Sequence, residues 1–489
     1  MPALDTLLDL FRPVDALKGA AAVMGWDRQL WMPTGGSAAR GAQESRLLGL
    51  QKAILTGDEF DRALDAVRAE GEEDGARIVR SAERIRKTMV RIPLDLLQRR
   101  VAISNEAYDV WKRAKATNDF PLLAPYYRDL FAIGREMADA LDYEAHPYDA
   151  LLDLFEPDTT HAQASAMFDA LKAPLRDLIA CATDEGGDEI LDAGWRAEED
   201  ALLATMREVV TKIGLRADDA RLDLANNAFC FGTGRGDARL TTRASDAFKG
   251  VVSSSLHEMG HALYGTNIDP RWDGSPLTYG HGLAAHESQS RLWENMVGRS
   301  YGFWSHFLPF FQSRHPRLTS VDLDRFLRAL NRVRPEPVRV GADELTYNLH
   351  ILIRYELEVR LIEGDLAVDD LPEAWDALYE EHLGLRPATS GEGVLQDVHW
   401  SRGSVGYFPT YAMGNIVAGS LWAELGTAFD LEADFARGDF TPVREWLTER
   451  VYRFGSGRTA REIVEAGGGT YLDPAPWLAY AESKFGNRA

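Results

Sequence analysis

Cysteine is nearly absent: Cys181 and Cys230 are the only two in 489 residues. This excludes a disulfide framework and a four-thiolate metal site, and it suggests reduced thiols in a chain large enough to need no covalent staple. No uninterrupted apolar stretch reaches the roughly 18 residues a membrane span requires. The opening residues, Met1-Pro2-Ala3-Leu4-Asp5, lack the basic segment and apolar run of a secretory signal. Basic charge is in deficit, with 54 Lys and Arg against 76 Asp and Glu and a formal net charge of −22. A field of that sign repels phosphate backbones, so nucleic acid is not an expected partner. Internal repeats and low-complexity tracts are also missing. Gly186-Gly187 and Gly467-Gly468-Gly469 read as local turns, not linkers. A cytoplasmic globular protein with no membrane association is the expectation.

What is present is mostly helical patterning. The composition, 45% hydrophobic and 27% charged, is ample for a large core. Leu4, Leu7, Leu8 and Phe11 fall at i, i+3, i+4 and i+7, as do Leu323, Phe326, Leu327 and Leu330. Amphipathic runs cover about 58–70, 74–90, 125–143, 160–183 and 197–214. From Thr346 to Glu363 neither Gly nor Pro interrupts, and Gly364 stands where a C-cap would. The best strand candidate is Ala238 to Thr242, which alternates and carries β-branched residues. Between about 390 and 410 glycine, aromatic and proline residues break the pattern, predicting a functional loop.

The chemistry centres on His257-Glu258-Met259-Gly260-His261, an H-E-x-x-H sequence. On a helix, positions four apart share a face, so both imidazoles can meet one ion while Glu258 reaches a water on its open side. Ser253, Ser254 and Ser255 read as preceding that helix, and Gly265 as ending its apolar run. A catalytic zinc site needs a third protein ligand. The extended form of the motif fails, because Tyr264 and Asn267 occupy the positions of its Gly and third His. The segment from His286 to Asn295, 25 residues after His261, offers His286, Glu287 and Glu294 after a loop containing Pro270, Gly274, Pro276 and Gly280. Spacing does not choose among the three. In thermolysin-like sites an aspartate follows the ligand glutamate four residues on, where this chain has Arg291.

Six segments in order then resemble the carboxypeptidase Taq family of metallocarboxypeptidases, from Trp26-Asp27 to the final third of the chain. They are Asp237-x-Arg239-x-Thr241, His257 to His261, His286-Glu287-Ser288-Gln289, Val338-Arg339-x-x-Ala342-Asp343, Gln396-Asp397-x-His399-Trp400, and Gly406-Tyr407-Phe408-Pro409-Thr410-Tyr411. The resemblance implies Glu287 as third ligand, Glu258 as general base, and zinc, with cobalt as the alternative activating ion. It implies a mostly α, gluzincin-like fold with a deep active-site cleft and a small β element. A single catalytic domain over 1–489 is expected, with a helical part to about 225 and a motif-bearing part from about 226. It also implies a homodimer that removes single residues, with broad preference, from peptides with a free C-terminus. One departure stands out: the family's His-Pro-Phe is Asn227-Ala228-Phe229 here. Asparagine can hydrogen-bond but carries no charge.

The same reading assigns roles around the ion. His399, Tyr407 and Tyr411 are the candidate donors to the oxyanion, since related helical gluzincins place a His and Tyr pair there. Arg339 first and Arg239 second are the candidates to grip the terminal carboxylate. Asp237 and Thr241 are expected to shape the element carrying Arg239, and Asp343 and Gln289 to orient ligands. Two rival readings are an oligopeptidase cutting internally and a weakly active or silent scaffold, the latter suggested by Asn227.

Overall fold

Helices account for nearly all the regular structure of this chain, seen in a computed structural model that describes residues 2–184, 189–232, 234–243, 245, 247–278 and 282–486. The Gly186-Gly187 turn and Gly280 lie outside the described residues. The expected runs appear as helices Asp58–Glu70, Glu73–Arg91, Phe120–Leu141, His161–Ala182 and Glu199–Ile213. Helix Tyr347–Glu363 ends on Gly364 at φ 88°, a left-handed conformation that a Cβ disfavours. No helix is long and apolar enough to cross a membrane among the described residues.

Three strands, not one, form the β element: β1 Ala220–Ala225, β2 Phe229–Gly232 and β3 Ala238–Arg243. β3 lies between the others, parallel to β1 and antiparallel to β2. Its far end is tied to the next helix, Phe248–Thr266, where the Thr242 hydroxyl bonds Val251 O at 2.8 Å and Ser254 Oγ at 2.6 Å. That helix begins five residues before Ser253, so the serines lie inside it. Ser255 bonds back to Val251 O at 2.7 Å, which removes the hydroxyl from competition for a cap.

Apolar packing divides in two. A small cluster joins the first helices through Leu7, Phe11, Leu64 and Ile78 and is closed by Ile268, Trp272 and Leu277. The larger core runs from Ile92 to Phe485 and encloses both motif-bearing helices, Phe248–Thr266 and Leu283–Arg291. These two helices touch backbone to backbone. A Cβ on Gly260 would lie 2.5 Å from Gln289 O and 2.7 Å from Ser290 Cα. From the other side, a Cβ on Gly414, in helix Pro409–Ala428, would lie 2.6 Å from Glu287 Cγ.

In an open helix interior alanine is favoured over glycine by about 1 kcal/mol, so Gly260→Ala tests which effect wins. Overpacking against rigid backbone predicts a net loss of about 1–3 kcal/mol in urea unfolding and weaker metal binding. A variant as stable as the parent would mean the helices do not meet at this glycine.

Candidate metal centre

The close approach at Gly260 places the imidazoles of His257 and His261 over one carboxylate. Each sends its Nε2 toward the same oxygen: Glu287 Oε2 is 3.7 Å from His257 and 3.4 Å from His261. The ligand atoms of all three residues lie within 4.8 Å of one another. A tetrahedral ion with ligand bonds of about 2.0–2.1 Å spaces its ligand atoms about 3.3 Å apart. The two histidine–carboxylate separations lie close to that spacing, and the donor set of two nitrogens and one oxygen fits a divalent cation.

Of the three third-ligand candidates, Glu287 shares this point, and the other two take the outer nitrogens of the histidines. Glu294 Oε2 lies 2.9 Å from His257 Nδ1. His286 Nδ1 lies 2.6 Å from His261 Nδ1. With His261 Nε2 facing the shared point, its Nδ1–H donates and His286 accepts as a neutral ring. Burial and the nearby His261 push His286 down to about 3, in keeping with that tautomer. Arg291 donates to Glu287 Oε1 at 2.8 Å and to Glu294 Oε2 at 3.1 Å, and Ser290 donates to Glu287 Oε2 at 3.1 Å. Every ligand thus has its unused face held.

Electrostatically this is a site for positive charge. Burial alone would lower His257, but Glu287 and then Glu294 outweigh it and raise the imidazole to about 9. Glu287, although buried, is held well below the carboxylate range by His257 and Arg291. Glu258 is 4% exposed and raised by burial, and its carboxylate has no hydrogen-bond partner among the described residues. A cavity of about 410 Å³ opens beside His261 and His286, lined also by Cys230, Tyr264 and Asp273.

The aromatic candidates assemble with one another. His399 Nε2 and the Tyr411 hydroxyl are 3.1 Å apart, and the Tyr407 ring is 5.4 Å from His399 and 5.3 Å from Tyr411. Burial with Arg339 and Arg354 outweighs Asp397 and pushes His399 down to about 3, so its ring is neutral. Burial pushes Tyr407 up to about 12 and Tyr411 well above the usual phenol range, so both keep their protons.

The arginines are arranged differently from expectation. Arg239 pairs through Nε and Nη2 with Asp237 and lies 4.7 Å over Trp26, so its fork is taken up by the sheet and the first helix. Arg339 is buried, with Nη2 2.6 Å from Asp397 and Nη1 donating to Tyr347 at 3.1 Å. Arg243, at the end of β3, has no acidic side-chain partner among the described residues. Burial and the neighbouring Arg339 hold it below its ordinary range. Sequence reasoning missed Arg243 because no spacing rule marks it.

Two expected orienters also act elsewhere. Asp343 accepts from the backbone of Arg334, Leu345 and Thr346 and shapes the entry to helix Tyr347–Glu363. Gln289 donates to Ser288 Oγ and makes no hydrogen bond to a candidate ligand side chain among the described residues. Asn227 is exposed, and its carbonyl accepts from Thr241 at 2.9 Å. Thr241 therefore supports the turn, while the asparagine side chain faces solvent.

A model of the carboxypeptidase Taq (M32) metallopeptidase family matches residues 6–485. Thermostable carboxypeptidase 1 of Thermus thermophilus is 36% identical over 99% of this chain and 98% of its own length. Carboxypeptidase 1 of Bacillus subtilis is 33% identical over 98% and 97%. The crystal structure of an M32 carboxypeptidase from Deinococcus radiodurans superimposes with a TM-score of 0.93 at 34% identity, covering 99% of each chain.

Glu294→Gln removes the charge behind His257 without changing shape. Metal affinity is expected to fall about 10–100-fold, read by competition with a chromophoric chelator; unchanged affinity would remove Glu294 from the site.

Proposed function

The chain belongs to the carboxypeptidase Taq (M32) family of metallopeptidases and is a metal-dependent carboxypeptidase, and from that premise we propose that His257, His261 and Glu287 hold zinc while Glu258 is the general base. The observation that carries this reading is the convergence of the three ligand atoms on one point. Two imidazoles and a carboxylate, with N–O separations of 3.7 and 3.4 Å, suit zinc better than the oxygen-only sites of magnesium or calcium. Cobalt accepts the same geometry.

A bound ion supplies a Lewis acid that brings the pKa of a water toward about 7 and polarises the scissile carbonyl. Glu258 accepts the water's proton, and its burial makes it a stronger base than an exposed carboxylate. The same group then returns a proton to the departing amine. Tyr407, Tyr411 and His399 donate to the oxygen on which negative charge grows, and their neutral, protonated states suit them to it. Arg339 and Arg243 bind the substrate's terminal carboxylate. Arg243 is the stronger candidate for direct contact, since it neighbours the Arg339 guanidinium and has no acidic side-chain partner of its own among the described residues. Arg239 instead clamps the first helix to the sheet.

The remaining parts of the reading are coarser. We treat the chain as one catalytic unit because its main core is continuous from Ile92 to Phe485. The free thiols of Cys181 and Cys230 suit a reducing cytoplasm. The family resemblance carries a homodimer with it, which light scattering checks.

Glu258→Gln should bind metal in full and lose kcat by about 10²–10⁴-fold. Mass spectrometry of a peptide digest then shows a C-terminal ladder for the parent and none for the variant. A ladder from the variant at the parental rate would exclude Glu258 as base.

Arg243→Gln should raise KM by about 10–100-fold, the worth of a charge-assisted hydrogen bond, on a free-acid peptide and leave the poor turnover of its amide unchanged. Equal rates on acid and amide with the parent enzyme would instead favour an internally cutting oligopeptidase.

A further inference from the structure

Glu358 lies in helix Tyr347–Glu363 with no exposed surface and no ion pair among the described residues. Arg354, the nearest cation on its helix, is bound to Asp397 at 2.6 Å. A buried carboxylate is costly unless its oxygens are fully hydrogen-bonded. Three donors meet this one: Tyr148 Oη at 2.6 Å, Trp400 Nε1 at 2.7 Å and Gly406 N at 3.1 Å. Trp400 directly follows His399, and Gly406 directly precedes Tyr407. One carboxylate therefore ties both ends of the short segment flanked by His399 and Tyr407.

The rest of the segment is packed into the core: the Trp400 ring meets Tyr127, Phe131 and Trp375, Val405 is buried, and Ser404 N donates to His399 O at 3.0 Å. It contains one turn of 3₁₀ helix, Trp400–Arg402. Gly406 sits at φ 91°, and a Cβ there would lie 2.7 Å from Leu151 O. This backbone is thus pressed against the 148–156 segment on one side and bonded to Glu358 on the other.

We infer that Glu358 is a positioning residue for peptide hydrolysis, fixing His399 and Tyr407 relative to the metal ligands through its bonds to Trp400 and Gly406. This rests on the reading that His399 and Tyr407 donate to the transition state. A misplacement of about 1 Å can cost on the order of 10²-fold in rate, so a residue that never meets substrate still controls turnover. Glutamine in its place would keep one acceptor and turn an amide donor toward a donor.

The test is a double-mutant cycle on the zinc-loaded enzyme between Glu358→Gln and Tyr407→Phe, with metal content and KM measured beside kcat. Glu358→Gln is expected to lower kcat about 10–100-fold at unchanged metal content and near-constant KM. In the Tyr407→Phe background the same change should cost under about 3-fold, because residues acting through one contact are not additive. Trp400→Phe removes a single donor and should give a smaller loss of the same kind, which keeps the test open if Glu358→Gln does not fold. The positioning role is overturned if Glu358→Gln leaves kcat within about twofold of the parent, or lowers it equally in both backgrounds. It is also overturned if, with Glu358→Gln unfolded, Trp400→Phe has the parental kcat. Tyr407→Phe at the parental kcat strikes the donor assignment itself, a separate result from either of these.

Discussion

Backbone contact between two helices at Gly260 is the constraint on which the metal centre depends. Helices packed through ordinary side chains stand about 8–10 Å apart. With an alanine at position 260, Gln289 O and Ser290 Cα would be displaced, carrying Glu287 away from the imidazoles. The central dipeptide of H-E-x-x-H is usually treated as filler between ligands. Here its second member is the contact that lets a ligand on another helix arrive. Gly414 repeats the device from the opposite side, so helix Leu283–Arg291 is held between two glycines with Glu287 at the junction.

Charge follows from that geometry. Glu258, Glu287 and Glu294 crowd around two imidazoles, and Arg291 bridges two of these carboxylates. The cluster holds positive charge firmly, as the raised His257 shows. Across the site the logic reverses: Asp397 is shared by Arg339 and Arg354, and burial together with these cations keeps His399 neutral. One wall attracts a cation and the other an anion. On the proposed reading, an extended peptide with its carbonyl at the first and its terminal carboxylate at the second would have its direction set by electrostatics before any side chain is recognised.

Much of this was legible in the sequence, for stated physical reasons. The 3.6-residue period of the amphipathic runs predicted the helices, and H-E-x-x-H predicted the paired imidazoles, because both are local properties. β1 and β2 were missed because Ala220–Ala225 alternates only weakly and Phe229–Gly232 is four residues long. The three-way choice of ligand stayed open on spacing alone. Glu287 and Glu294 lie seven apart and face the same neighbour, Glu287 in the α-helix and Glu294 inside the π-helical stretch Leu292–Val297 that follows it. Only the distances separate their roles: one reaches the inner nitrogens and the other an outer one. Arg239 and Arg339 could be marked as arginines in motifs, but a motif does not say whether a guanidinium is already paired.

The two walls of the site come from distant parts of the chain, and hydrolysis requires their separation to be held to a fraction of an ångström. Sequence motifs supply the groups on each wall but not the spacer between them. That spacer is the stretch around 148–156, which carries no motif. Toward the metal wall, Phe155 O accepts from Leu283 N at 2.9 Å and Glu156 Oε2 from Ala284 N at 2.8 Å, seating the first turn of the helix that bears Glu287. Toward the donor wall, the Phe155 ring stands 5.2 Å from that of Tyr407, and Leu151 O abuts Gly406. Glu156 is buried and its other oxygen accepts from Tyr471 at 3.0 Å, so the link is anchored to the C-terminal part of the core. On the proposed reading, a segment without chemistry of its own thereby links the two sides of the site.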